Sequence, residues 1–383
     1  MNESDPQSLA PLHSWLAMPM EPTARSMMDR VRHAEDVVHL AVMPDVHVAN
    51  DICVGTAMAT RRLVYPQAVG GDIGCGMLAI AFDAEQTLLH QPKTAGELLR
   101  ELAERIPIRH RHRTRSHPLP KSLEDNALSH PALSGVLRDT GLQQLGTLGG
   151  GNHFIEFQAD GEHRLWLMIH SGSRAIGQAV RGHHLTHATK VAGGLLALDT
   201  DTPAGQAYRH DQQWACEFAA ANRQAIAMQI IDFMRTQYSI RHDDSLTISC
   251  DHNHVRREQH FGESWLVHRK GAMPADDGLP GVIPGSMGTL SYHVTGRGHP
   301  QSLRSSAHGA GRLLSRRAAR QRFTKRDLVR ELSRVWFDPR LADALREEAP
   351  KSYKDIRAVM RAQAELVDIA RMLKPLLVYK GAA

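Results

Sequence analysis

Short apolar runs that end in glycine-rich polar turns recur along this chain. They include Gly70-Gly71-Asp72-Ile73-Gly74-Cys75-Gly76 and Gly149-Gly150-Gly151-Asn152-His153. Two more are Ile283-Pro284-Gly285-Ser286-Met287-Gly288 and His308-Gly309-Ala310-Gly311-Arg312. Glycine lets the backbone take positive φ and come close to a ligand. Turns at strand ends are where side chains converge on a common pocket. Because the turns are spread over all 383 residues, they predict one interdependent domain, 1–383, rather than separable modules. Short strands mixed with helices, without regular βαβ alternation, place the chain in the α+β class.

The coarse pattern fills in between the turns. Residues 1–30 read as an irregular start with a short helix. Val37 to Val42 reads as a strand, and Pro44 places Asp45 and His47 at its end or in a loop. Residues 52–82 read as strands joined by tight turns, 94–106 as a helix, and 107–135 as polar loop. Leu165 to Ile169 is a strand delivering His170, and Leu246 to Ser249 a strand delivering His252. Helices are expected over 176–192 and 211–236, and a basic helix after Arg312. A last helix over 355–372 is expected to stop before Pro375 and a final strand to Lys380.

Composition narrows the chemistry. Four cysteines, Cys53, Cys75, Cys216 and Cys250, form no C-x-x-C pair, which argues against a disulfide framework and a structural zinc module. The apolar runs are far too short to span a bilayer, so no membrane partner is expected, and the start lacks a secretory pattern; a cytoplasmic location follows as the expectation. The net charge of +5 is concentrated in Arg109 to His117 and in Arg312 to Arg330, which suits a phosphate-rich partner. Histidine is abundant, at 24 residues.

Four of the histidines share one context. His153, His170, His252 and His308 all stand at strand ends or glycine turns. Asp72 and Cys75 offer a hard and a soft ligand three residues apart, and a thiolate can bridge two ions. A carboxylate, a thiolate and imidazoles form a set suited to Mn²⁺ or Zn²⁺, and a pair of ions can polarise a phosphoryl group. Main-chain N–H groups in the glycine turns can nest phosphates, and none of these turns has the Gly-Lys-Ser/Thr of a Walker loop.

Together these runs closely resemble the RtcB family of GTP-dependent RNA ligases over nearly the full length. Met43-Pro44-Asp45-Val46-His47, Gly71 to Gly76, Gly146 to Glu156 and His170-Ser171-Gly172-Ser173-Arg174 carry the likeness. It continues through His252-Asn253, Arg269-Lys270-Gly271-Ala272, Ile283 to Gly288, His308 to Arg312, Ser352-Tyr353-Lys354-Asp355 and Lys380-Gly381. The resemblance implies an RtcB-like fold around a central dinuclear pocket. It implies that His308 becomes guanylylated by GTP and that GMP then activates an RNA 3′-phosphate for attack by a 5′-hydroxyl. A 2′,3′-cyclic phosphate end would first be hydrolysed. Asp72, Cys75 and His153 would hold one Mn²⁺, and Cys75, His170 and His252 the other. The nucleotide would be contacted by Asn152, His153, Phe154, Ile155, Glu156, His252, Asn253, Pro284, Gly285, Ser286, Met287, Ser291, Gly309, Ala310, Gly311, Tyr353 and Lys380. An archease-like activator is a further implied partner. The chain departs from the family in Val48-Ala49-Asn50-Asp51, which lacks glycines, and at Gly71.

Two other readings fit part of the sequence. A dinuclear metal phosphoesterase acting on RNA ends would use Asp72, Cys75 and the histidines, but leaves His308, Glu156 and Lys380 without a role. A non-catalytic RNA-binding protein would use only the basic clusters.

Overall fold

The computed structural model describes residues 9–108 and 117–381. The basic run 109–116 singled out above lies outside the described residues. The strands that frame the site are β1 (Leu12–Ser14), β2 (Val37–His47), β3 (Val54–Thr60), β4 (Gly76–Glu85), β5 (Phe154–Ala159) and β6 (Arg164–Ser171). They continue with β7 (His242–Asp251), β8 (Asn253–His260), β9 (Glu263–Lys270), β10 (Pro280–Ile283), β11 (Ser291–Gly296) and β12 (Val367–Lys380). One sheet has the order β1-β2-β3-β9-β8, and a second the order β7-β4-β6-β5-β12-β11-β10. Apart from parallel β1-β2, the pairs within both sheets are antiparallel, with helices outside the sheets, so the α+β expectation holds.

Register positions the chemistry. Gly76 pairs with Ser171 on one side and with Asp251 on the other, and Phe154 pairs with both His170 and Lys380. Antiparallel pairing therefore lines up the start of β4, the end of β6, the start of β5 and the end of β7 along one sheet edge. Cys75, His170, His153 and His252 sit at those four points.

The 36-residue helix Pro203–Tyr238 packs across the back of this sheet. Thr202 caps it by accepting from the Gly205 N–H, Pro203 opens it, and Ser239 closes it in the left-handed region. Its Ile226, Ala227, Ile230 and Met234 join Leu78, Ile80, Leu167 and Ile169 in one buried cluster. Removing that area from water is the main term holding helix to sheet.

Several sequence expectations need correction. The last helix covers only Ile356–Ala362, and the segment from Val367 is already strand. Pairing with β5 on one edge and β11 on the other outweighs the weak helical spacing there, and Pro375 is absorbed where the register with β5 shifts. The basic helix is two short ones, Arg316–Arg322 and Lys325–Glu331, parted by a capping box of Thr324 and Asp327. The expected loop before residue 135 contains helices Lys121–Glu124 and Pro131–Val136. The helix near 176–192 ends at Leu185, and β2 runs straight through Pro44, so Asp45 is inside a strand.

Candidate metal centre and nucleophile pocket

Two groups of ligand atoms lie close enough to share a cation each, Asp72/Cys75/His153 and Cys75/His170/His252, and both include the same thiol. Cys75 Sγ is 3.6 Å from His153 Nε2 and 3.2 Å from His170 Nε2. The ring orientations are set by the main chain. His153 Nδ1 faces the Leu148 carbonyl at 3.0 Å, and His170 Nδ1 faces the Asn152 carbonyl at 3.1 Å. Each Nδ1–H donates to its carbonyl, which leaves the Nε2 lone pair pointing inward, as metal ligation requires.

The donor set itself tests whether a metal fits. With Nδ1 protonated, His153 Nε2 brings a lone pair to within 2.7 Å of the acceptor Asp72 Oδ2. A cation between such groups turns a conflict into coordination. Burial pushes the Cys75 thiol well above its usual value, with the Asp72 charge adding to the rise. Burial and the neighbouring imidazoles push His170 and His252 well down. Burial also works against the Asp72 carboxylate, but His153 when charged, with Cys75 and Arg174, outweighs it and brings the group down to about 2; beside a neutral His153 a bound cation would take over that role. Neutral imidazoles and an ionised carboxylate are the forms that bind metal, and a bound cation would ionise the thiol as well. Gly172 makes room for Asp72, because a Cβ there would lie 2.1 Å from its Oδ1.

His308 stands beside this cluster, its ring centroid 4.6 Å from that of His252. It follows the short strand Ser305–Ala307, which pairs with Ala272–Pro274. Its Nδ1 donates to buried Asp45 Oδ2 at 2.6 Å, and its own N–H donates to the same oxygen at 3.2 Å. This orients the ring and, in the neutral imidazole, leaves the Nε2 lone pair turned away from Asp45. The fit is tight. Gly271 lies under the ring, where a Cβ would come 3.0 Å from His308 Cε1, and Gly311 at φ +72° sits where a Cβ would meet the Asp45 carbonyl at 2.2 Å.

The motifs expected to hold a nucleotide are only partly gathered here. Gly309 approaches the Pro284 carbonyl, which joins the 283–288 turn to the His308 turn. In that turn Gly285 N–H donates to Ser291 Oγ at 3.3 Å and Ser286 N–H to Thr289 Oγ1 at 2.7 Å. Asn253 braces the metal loop, donating to the Asp72 carbonyl at 3.0 Å and accepting from Gly271 N–H at 2.8 Å. Lys380 is buried, 5.6 Å from the Phe154 ring centre and 3.4 Å from Glu348. Burial pushes its ammonium down and Glu348 opposes this. Tyr353 donates to Glu348 and accepts from Arg312 Nη1 at 3.0 Å, while the Arg312 guanidinium lies 4.9 Å from its ring centre. Burial pushes the Glu156 carboxyl up to about 8, although Gln158 donates to it at 2.5 Å. Asn152 is exposed and Met287 packs with Ala319 and Phe323. Ile155 is different: its side chain is in the core with Phe157 and Leu167, so only its main chain can face a ligand.

Two partners went unassigned in the sequence. Asp45 lay in a quoted motif, and its standing as a lone carboxylate inside the apolar run from Val42 to Val46 was the available signal. Glu348, which ties Lys380, Tyr353 and Arg312 together, stands in a plain Glu347-Glu348 pair with nothing to mark it.

Over residues 27–132 and 121–381 the chain matches the family described as tRNA-splicing ligase RtcB. It is 35% identical to the RNA-splicing ligase RtcB of Escherichia coli K12, across 97% of this chain and 98% of that protein. The chain belongs to the RtcB family. More distant RtcB relatives, both called tRNA-splicing ligase RtcB, come from Thermococcus kodakarensis, at 29% identity over 89% of this chain, and Methanococcus maripaludis, at 28% over 88%. RtcB membership fits the α+β architecture and the paired ligand groups described above.

Proposed function

We propose that this protein is an RNA ligase that joins an RNA 3′-phosphate, or a 2′,3′-cyclic phosphate after hydrolysis, to a 5′-hydroxyl end, using GTP and two Mn²⁺ ions. The observation that carries the reading is a histidine, His308, hydrogen-bonded to a buried aspartate and placed against two ligand groups that share the Cys75 thiol.

Asp72, Cys75 and His153 would hold one ion, and Cys75, His170 and His252 the other. When bound, the ions would supply charge stabilisation to phosphoryl oxygens. His308 Nε2 attacks the α-phosphorus of GTP, the α–β anhydride bond breaks, and pyrophosphate leaves. Asp45 holds the imidazole through Nδ1 and stabilises the positive charge that develops on it. An oxygen of the RNA 3′-phosphate then takes the GMP from His308, restoring the free imidazole. The RNA 5′-hydroxyl attacks the activated phosphorus, forms the new phosphodiester and releases GMP.

Glu156 accepts from the N–H edge of guanine, which selects GTP over ATP. Tyr353 stacks near the base, Lys380 meets base or ribose, and the Gly309 to Gly311 turn supplies main-chain N–H groups to the phosphates beside the turn Pro284 to Met287 and Ser291. Asn152, Phe154 and Asn253, with the main chain at Ile155, complete the nucleotide site. An archease-like activator and a cytoplasmic location belong to the same reading.

The test is incubation with α-labelled GTP and Mn²⁺. Covalent label should appear on the protein and be absent from His308→Ala. An intact protein that takes no label, yet hydrolyses RNA cyclic phosphates, would replace this reading with a metal phosphoesterase.

A further inference from the structure

The ligands come from separate chain segments, and one turn of the long helix holds those segments together. Asn222 and Arg223 are both buried at the sheet-facing side of helix Pro203–Tyr238. Asn222 Oδ1 accepts from Gly146 N–H at 2.7 Å. Its Nδ2 lies 3.2 Å from the Thr147 carbonyl, 3.0 Å from Ser171 Oγ and 3.4 Å from the Gly172 carbonyl. Arg223 Nη1 donates to the Gly74 carbonyl at 2.8 Å and to the Ser171 carbonyl at 3.0 Å.

Gly74 and Ser171, which supply three of these acceptors, each adjoin a ligand. Gly74 precedes Cys75, and Ser171 follows His170. Ser171 Oγ donates to the Leu148 carbonyl at 2.8 Å, the same oxygen that receives His153 Nδ1–H. An uninterrupted chain therefore runs from Asn222 through Ser171 and Leu148 to His153. Arg223 contacts main-chain carbonyls here rather than a carboxylate, an arrangement that fixes loops at the expense of a desolvated cation.

We propose that Asn222 and Arg223 are positioning residues for the metal centre, setting the spacing of Cys75, His170 and His153 from behind. The inference rests on the metal reading of that cluster. Outer contacts of this kind typically change metal affinity 10–100-fold when removed.

The experiment is Co²⁺ titration of the full chain, read by thiolate-to-cobalt charge transfer, with the thermal midpoint recorded for each variant. Wild type should give the band and Cys75→Ala should lose it; a wild type without it would refute the metal reading itself. Given the band, Asn222→Asp and Arg223→Lys should bind Co²⁺ about 10–100-fold more weakly, with a shifted band. Ser171→Ala, which deletes only the relay hydroxyl, should weaken binding in the same direction and covers the case in which a helix variant fails to fold. Ile226→Val, equally buried on the same helix, should lower the thermal midpoint and leave Co²⁺ affinity and band position unchanged. The proposal is overturned if the folded Asn222, Arg223 and Ser171 variants keep wild-type affinity and band position, or if Ile226→Val alters them as much.

Discussion

Asp45 does for His308 what no property of the histidine could do alone. An isolated imidazole exchanges its proton between both nitrogens, whereas a 2.6 Å bond from Nδ1 to a buried carboxylate fixes which nitrogen of the neutral ring carries it. Asp45→Asn should therefore slow guanylylation on the order of 10⁴-fold, the scale seen when a carboxylate partner is neutralised beside a catalytic histidine, with the fold kept, as read by label incorporation and thermal midpoint. Cys75→Ala should remove metal-dependent guanylylation, since both ligand groups lose their shared member; label at the wild-type rate would refute the bridging role. Glu156 gives a pH signature. Its carboxyl is raised to about 8 by burial, so it is mainly protonated at pH 7 in the free protein. Accepting from guanine, as proposed, needs the carboxylate, so GTP binding should release a proton. Affinity should rise with pH, by up to about tenfold per unit, and level off above about 8. Glu156→Gln should flatten that slope in calorimetric titrations.

At the scale of elements, the antiparallel hairpins are what gather the ligands. A strand that slipped by one residue would turn His170 to the opposite face, so the glycine turns and the pairing are mutually dependent. These strands and their terminal histidines were legible in the sequence because alternation and turn residues are local signals. The C-terminal strand was legible only beyond Pro375; its first part, from Val367, was read as helix, since a long strand with an internal proline is decided by partners far away in the chain. The short helices Arg316–Arg322 and Lys325–Glu331 show exposed Arg317, Arg322, Lys325 and Arg326, none in an ion pair among the described residues. Arg316, which starts the first helix, lies close to Gly151 in the loop before His153. Reversing Arg317, Arg322 and Arg326 to Glu should weaken RNA joining far more than guanylylation and reduce the salt dependence of joining. Equal loss of both steps would make these helices structural.

Across the whole molecule, stability and site share parts. Arg269, fully buried, pairs with Glu258 and donates to Ser305 Oγ and the Leu303 carbonyl, so it ties the first sheet to the segment that leads to His308. Arg269→Leu leaves Glu258 with His260 alone and should cost about 3 kcal/mol in chemical denaturation. Burial would raise the Glu258 carboxyl, but Arg269 and His260 outweigh it and hold it far below its usual range. A depressed carboxylate adds stability above its unfolded value, roughly pH 4, and loses it as pH falls further. The thermal midpoint should therefore drop below about pH 4, and less steeply in Arg269→Leu.

By itself the sequence determined the α+β class and which residue types could hold metals, because glycine turns, strand alternation and ligand chemistry are written locally. It marked Asp72, Cys75, His153, His170, His252 and His308, and the family resemblance grouped the ligands around Cys75. The tertiary structure brings the ligand atoms of both groups within reach of that one thiol, and only it shows that Asp45 fixes the His308 tautomer. Only it, too, places Glu348 between Lys380 and Tyr353, and Asn222 and Arg223 behind three ligand loops. Those relations join residues up to hundreds of positions apart through register, burial and single hydrogen bonds, and no local pattern encodes them.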